Sequence, residues 1–203
     1  MRRSAIALLV VLGSLALPAA APAQATLTPS QFAAVDAVYM AFAAFEDGAT
    51  PAERVAARAA CTALGSADAL LSALRRACFP QLRIGQALGQ TQRCKGRRAC
   101  LLAVRAVKRA ATDYLTFARA ANRVVDELAL APACSRELRR GAAELRFVTG
   151  MRSAYTQLER ALRAGSKRLA ERAQRRIEAL RLPDSRPAAQ QREDYRAGCA
   201  PRG

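Results

Sequence analysis

Residues 100–128, CLLAVRAVKRAATDYLTFARAANRVVDEL, carry the strongest structural signal in the chain. Mostly small and apolar residues recur along this stretch at alternating spacings of four and three, and a second apolar set flanks them. The pattern predicts a long helix whose buried stripe is wider than the seam of a two-stranded coiled coil, as in the centre of a helical bundle. The stripe comprises Cys100, Val104, Val107, Ala111, Tyr114, Ala118, Ala121, Val125 and Leu128, flanked by Ala103, Ala110, Phe117 and Val124.

A second long apolar pattern follows Pro132 and predicts a helix over 135–181 that ends before Pro183. We expect the turn at Pro132 to bring the two long helices together as an antiparallel hairpin. The apolar positions are Leu138, Ala142, Leu145, Val148, Met151, Tyr155, Leu158, Leu162, Leu169, Ala173, Ile177 and Leu180.

The two helices of this hairpin differ in length. At about 1.5 Å per residue, helix 98–130 is roughly 50 Å long and helix 135–181 roughly 70 Å long. Cys100 then lies opposite about Gly165. The remaining residues 166–181 therefore pack on the N-terminal helices, bend at Gly165 or project from the bundle.

Two capping signatures predict shorter helices near the N-terminus. Thr28-Pro29-Ser30-Gln31 and Thr50-Pro51-Ala52-Glu53 each place a capping threonine before proline and a glutamine or glutamate three residues later. Glycine follows each helical pattern, so we expect the helices to end at Gly48 and Gly65.

A third short helix is predicted to start after Ser66, with Asp68 in its first turn and Phe79-Pro80 as its end. Residues 81–96 contain three glycines and predict an irregular connection with at most one helical turn. We find no strand pattern of any length. The sequence thus predicts an all-α, disulfide-stapled bundle of four to five helices built on the long antiparallel helical hairpin.

Residues 1–25 have the form of a cleavable secretory signal peptide. Two arginines precede the apolar run Ala5–Leu17, which is shorter than the about 20 residues that a membrane span needs. Small residues then predict cleavage before Gln24 or Thr26. We expect a secreted or extracytoplasmic protein (cell envelope or periplasm) without a transmembrane segment. Its mature chain would have a single helical domain over 26–182 and a mostly irregular tail over 183–203.

Six cysteines lie behind this signal, and an even number favours disulfides in an oxidising compartment. We favour a bond from Cys78 to Cys94 or Cys100, and expect Cys199 to tie the tail to the bundle. Cys61 and Cys78 are badly offset in a tight helical hairpin. The C-x5-C spacing of Cys94 and Cys100 is not a common zinc or redox spacing. The cysteines are Cys61, Cys78, Cys94, Cys100, Cys134 and Cys199.

The chain is strongly basic, with a formal net charge of +17, or +15 without Arg2 and Arg3. Such a charge favours anionic partners, and two dense stretches are the candidate anion-binding residues. For the second stretch the sequence favours a solvated helix face with Glu171 and Glu178 interleaved, and a groove that binds phosphate or carboxylate groups is the alternative. The candidates are Arg93, Lys95, Arg97, Arg98, Arg160, Arg163, Lys167, Arg168, Arg172, Arg175 and Arg176.

The chain has no histidine, which excludes Ser-His-Asp and Cys-His catalysis and imidazole metal sites. No motif indicates a catalytic residue, a metal or a cofactor. Aromatic residues do not alternate with the basic ones, so we expect no specific nucleic-acid recognition. We therefore expect a non-enzymatic exported protein that binds an anionic envelope or extracellular partner. The alternatives are a structural protein that self-associates as a homo-oligomer and, less favoured, an enzyme of unrecognised type.

Overall fold

A computed structural model describes residues 25–43, 50–66, 68–181 and 186–201. The structure is all-α, and these residues form eight helices where the sequence predicted four to five. The predicted signal peptide lies outside the described residues except for Ala25. The helices are α1 (Pro29–Ala43), α2 (Pro51–Ala63), α3 (Ala69–Arg93), α4 (Arg97–Glu127), α5 (Pro132–Leu138), α6 (Ala142–Ala164), α7 (Lys167–Glu178) and α8 (Ala188–Cys199).

Both N-terminal capping signatures act as predicted. Thr28 and Gln31 exchange hydrogen bonds in front of α1, and Thr50 and Glu53 do so in front of α2. Each box pairs amide groups that would otherwise be unsatisfied at a helix start. α2 ends at Ala63, just before Gly65, whose φ of 74° suits glycine. Gly48, the predicted end of the first helix, lies outside the described residues.

The predicted central helix is α4, which packs against α3 on one side and α6 on the other. Its register against α6 is antiparallel, because the contacts between them move in opposite directions along the two segments. Arg97 contacts the Arg163 carbonyl, Arg105 bonds to Glu159, and Asn122 bonds to the backbone of Arg140. This agrees with the predicted hairpin, in which Cys100 lies opposite about Gly165.

The predicted helix over 135–181 is instead three helices, α5, α6 and α7. The first break follows Leu138, where Asn122 holds the Arg140 backbone through both its N–H and its carbonyl at 2.8 Å. The second is at Gly165, which has a φ of 66° and ends α6. Of the three outcomes expected for 166–181, the structure shows the bend.

α7 runs back along α6 after this bend. A Cβ on Gly150 would lie 3.0 Å from a methyl group of Leu180, so glycine allows the two segments to approach closely at this point. Ile177 and Leu180 pack on the buried residues of α4 and α6. The bend therefore covers Ala173, Ile177 and Leu180 against α4 and α6, whereas Leu169 of the same stripe stays exposed.

The prediction for residues 66–96 was wrong. Asp68, rather than Ser66, caps the helix by accepting a hydrogen bond from the Leu71 amide at 2.9 Å. The helix then continues through Pro80 to Arg93. A proline inside a helix removes one backbone hydrogen bond and disfavours the helix, but buried residues on both sides of Pro80 hold it in place.

The tail also differs from the mostly irregular segment that was expected. α8 occupies 188–199 and packs on α1 and α5. Tyr195 is fully buried, lies between the rings of Phe32 and Tyr39 at 5.2 and 5.0 Å, and donates a hydrogen bond to the Phe32 carbonyl.

All six cysteines form disulfides, as predicted. Cys134 pairs with Cys199 and ties the tail to the bundle as expected. The favoured partners of Cys78 were wrong, because Cys61 pairs with Cys78 and Cys94 with Cys100. Cys61 and Cys78 would be badly offset only if α2 and α3 lay side by side. The Cα atoms of these two cysteines are 5.8 Å apart, so the end of α2 instead approaches the middle of α3.

The buried apolar residues form two clusters. The first joins α1, α2, the first half of α3, the end of α4, α5 and α8. The second joins the end of α3, most of α4, α6 and α7. Helices α3 and α4 contribute residues to both clusters.

Candidate anion-binding surface

The two basic stretches predicted from the sequence meet where α6 turns into α7. Arg97, the first residue of α4, donates a hydrogen bond to the backbone carbonyl of Arg163 near the end of α6. A Cβ on Gly165 would lie 4.0 Å from the Arg97 guanidinium. The antiparallel register of α4 and α6 therefore places residues 93–98 beside the start of α7.

Three of the predicted anion-binding residues have partners within the chain. Arg93 donates to the Gly89 carbonyl at 3.1 Å, and Arg97 donates to the Arg163 carbonyl. Arg163 in turn donates to the carboxylate of Glu159. These three side chains help to hold the local structure.

Glu159 is the centre of a charged cluster that the sequence analysis did not identify. Its carboxylate is buried and accepts hydrogen bonds from Lys108 at 2.6 Å, Arg105 at 2.9 Å and Arg163. The bond from Lys108, with the bond from Arg105, outweighs burial and lowers the pKa of Glu159 to about 2. Three cations around one carboxylate leave this point of the surface positively charged.

The sequence did hold a signal for this cluster. Glu159 follows Leu158 directly on the apolar stripe of α6, which is an unusual place for an acid unless it has a partner. Of its partners, Arg163 lies four residues later on the same helix, whereas Arg105 and Lys108 come from α4 through the packing of two helices and could not be identified from the sequence.

The arginines of α7 occupy one side of the helix. At about 100° per residue, Arg168, Arg172, Arg175 and Arg176 fall within an arc of about 100°. Glu171 and Glu178 lie beside this arc rather than within it. No ion pair joins them to the arginines among the described residues, and Glu178 instead accepts a bond from Gln174 at 3.1 Å.

Eight of the eleven candidate residues have no partner among the described residues. All eight are exposed, with Lys95 in the loop before α4 and Arg98 in its first turn. Within the described residues, no carboxylate lies within 4.0 Å of any of them. We call this set the basic surface: Lys95, Arg98, Arg160, Lys167, Arg168, Arg172, Arg175 and Arg176.

The two tyrosines of the predicted apolar stripes pack in the core. Tyr114 and Tyr155 are buried, and the Tyr114 hydroxyl donates to Glu144.

Comparison of the chain with models of known protein families, with curated proteins and with solved structures gives no match. Across 25–43, 50–66, 68–181 and 186–201, no helix is both long enough and apolar enough to cross a membrane. The same residues contain no group of three or more histidine, cysteine, aspartate or glutamate side chains arranged to hold a metal ion.

Proposed function

We propose that the protein is exported, is not an enzyme, and binds an anionic polymer or surface at or outside the cell envelope through the basic surface. The observation that carries this proposal is the set of eight exposed cationic side chains that have no carboxylate partner among the described residues, on segments that meet where Arg97 contacts Arg163. Arginine suits this role because its planar guanidinium matches carboxylate, sulfate and phosphate groups.

Two further features support the proposal. The neighbouring Glu159 cluster holds three cations around one anion, so it adds positive potential rather than cancelling that of the basic surface. The three disulfides suit an oxidising compartment. Inside a cell, nucleic acid would be the main polyanion, whereas an exported protein meets acidic polysaccharides, wall polymers and lipid headgroups.

The binding part is tested with heparin affinity chromatography and a salt gradient. We expect retention at about 0.15 M NaCl and elution at higher salt, because screening shortens the range of charge attraction. The variant Arg168→Gln, Arg172→Gln, Arg175→Gln and Arg176→Gln should elute much earlier. Sedimentation of the same samples separates polyanion binding from self-association.

A matched control removes the same charge elsewhere. Arg58, Arg76, Arg119 and Arg123 are exposed and make no ion pair with described residues, and their replacement by glutamine also lowers the net charge by four. This control should shift elution less than the α7 variant. Equal shifts, or elution of the native protein below physiological salt, would contradict the proposal.

The export part predicts a defined N-terminus. The Ala25 amide donates to the Ala129 carbonyl at 3.3 Å, and Leu27 is buried. Cleavage before Gln24 keeps this contact, whereas cleavage before Thr26 removes it. We therefore expect the intact mass of the exported protein to start at Gln24. A mass that starts at Met1 would contradict export by a cleaved signal.

A further inference from the structure

A cavity of about 70 Å³ lies between α1, α3 and the turn after α5, away from the basic surface. Most of its wall is apolar, with Arg140 and two glutamines as its polar groups. Such a combination of apolar walls and a few polar groups is typical of small-molecule sites. The apolar wall includes Val35, Val38, Phe42, Leu64, Leu74 and Leu138.

Arg140 is held rigidly at this cavity. Asn122 accepts from its amide and donates to its carbonyl, both at 2.8 Å. The backbone at the break between α5 and α6 is therefore fixed, and it carries the side chain to the cavity wall. A rigidly held polar group loses little conformational freedom when a ligand binds.

The guanidinium of Arg140 is poorly satisfied. Its Nε is buried and has no hydrogen-bond partner among the described residues. One long contact of 3.5 Å joins its Nη2 to the Gln81 side chain. No described carboxylate lies within 4.0 Å of it. Tyr114 and Glu144 raise the pKa of Arg140 and so favour its charged form. The buried Nε donor still lacks an acceptor, and a buried unsatisfied donor is costly, so it has a vacant place for an anionic oxygen.

The neighbouring polar groups are already engaged. The Tyr114 hydroxyl donates to Glu144, and the Tyr39 hydroxyl donates to the Glu137 carbonyl at 2.8 Å. Burial raises the pKa of both tyrosines, so they stay neutral at ordinary pH. The amide nitrogen of Gln81 makes no bond to a described residue and can act as a second donor.

We propose that this cavity binds a small monocarboxylate with an apolar body. Its carboxylate accepts hydrogen bonds from Arg140 and Gln81, and its body lies against Val35, Val38 and Leu74. A cavity of about 150 Å³ holds the six carbon atoms of benzene, so this space of about 70 Å³ suits a body on the order of three carbon atoms. Phosphate and sulfate fit less well, because the apolar wall offers no donors to their other oxygens.

Isothermal titration with butanoate, whose apolar body has three carbon atoms, tests the proposal. Two probes separate its parts, since 1-butanol keeps the apolar body without the charge and acetate keeps the charge with almost no body. We expect butanoate to bind at least about tenfold more tightly than either, a factor that a charge-assisted hydrogen bond of about 1.4 kcal/mol supplies. Inorganic phosphate should not compete.

Variants locate the site. Arg140→Met should abolish the preference for butanoate over butanol, and Val38→Phe should weaken both ligands by filling the cavity. The α7 glutamine variant should bind butanoate like the native protein, so this result stays separate from polyanion binding. Circular dichroism checks that each variant is folded. Unchanged butanoate affinity in a folded Arg140→Met variant, or no saturable binding to the native protein, would overturn the proposal.

Discussion

The Glu159 carboxylate binds three cations, two on α4 and one on its own helix α6, and so links these two helices. The fold favours its charged form, because hydrogen bonds from Lys108 and Arg105 lower its pKa to about 2 from 4.5. A lowered pKa contributes stability that is fully present above the unfolded value and is lost as the pH falls through the folded value. This contribution should therefore disappear between about pH 5 and pH 2.

The variant Glu159→Gln should lower the free energy of unfolding at pH 7 by about 2 kcal/mol. This is less than the cost of breaking a fully buried pair, because Arg105 and Arg163 are partly exposed. Urea unfolding at pH 7 and pH 2 measures the difference from the native protein, which should shrink at the lower pH. Glu171→Gln removes an exposed acid that has no ion-pair partner among the described residues, and it should change stability by less than about 0.5 kcal/mol.

A gap between the native protein and Glu159→Gln that stays constant from pH 7 to pH 2 would contradict this account. It would mean that the side chain acts through packing rather than through its charge.

Asp36 on α1 holds α8 in place, because its carboxylate, like that of Glu159, binds more than one cation. Arg192 donates to its two oxygens at 2.9 and 2.7 Å, and Arg196 does so at 2.9 and 3.1 Å. The hydrogen bond from Arg192 is the main cause that lowers the pKa of Asp36. Two guanidinium groups on one carboxylate fix both the position and the rotation of α8.

Asp36→Asn should loosen α8 and cost about 2 kcal/mol of stability, because an amide leaves both cations uncompensated. Hydrogen exchange should show faster amide exchange in α8 than in α4. Asp113→Asn removes a surface pair with Arg83 at 3.3 Å and should have little effect. Unchanged exchange in α8 would show that Tyr195 and the disulfide hold this helix without Asp36.

The three disulfides should differ in their effect on stability. They close loops of 65, 17 and 6 residues for Cys134–Cys199, Cys61–Cys78 and Cys94–Cys100. The entropy of loop closure then predicts losses of about 4, 3 and 2 kcal/mol when each pair is replaced by serine. Urea unfolding of the three double-serine variants measures the order. A larger loss for Cys94–Cys100 than for Cys134–Cys199 would contradict the entropic account.

The elements that the sequence predicted best are those with local signals. The capping boxes before α1 and α2 and the stripe of α4 depend only on neighbouring residues, and all three agree with the structure. α8 lacks such a signal, since of its described side chains only Tyr195 and Cys199 are buried and its other residues are mostly polar. Its helix depends on tertiary contacts, which a local pattern does not contain.

Tertiary contacts, which a local pattern does not contain, also explain the wrong prediction at Pro80 and part of the result in the basic stretches. Proline normally ends a helix, but packing around Ala77, Cys78 and Leu82 keeps α3 continuous. The basic residues were visible in the sequence, and the partners of Arg93 and Arg163 lie four residues away on the same helix, whereas the partner of Arg97 depends on the register of α4 against α6. Arg140 carried no signal, because its cavity forms only from distant segments.

The whole molecule divides its cross-links unevenly between the two apolar clusters. The first cluster contains Cys61, Cys78, Cys134 and Cys199, whereas no cysteine is buried in the second. The helices that complete the first cluster are also short, with 15, 13, 7 and 12 residues for α1, α2, α5 and α8. Helices of this length are marginal alone and depend on packing and cross-links.

Reduction should therefore affect the two clusters in sequence. With increasing concentrations of a thiol reductant, amides of α1, α2 and α8 should lose protection from hydrogen exchange before those of α4 and α6. The long helices α4 and α6 keep their mutual packing and the Glu159 cluster after reduction. The double variant Cys94→Ser and Cys100→Ser should show the same order, because the remaining disulfides lie in the first cluster. Simultaneous loss of protection in all helices would contradict this division and would indicate that the two clusters unfold as one unit.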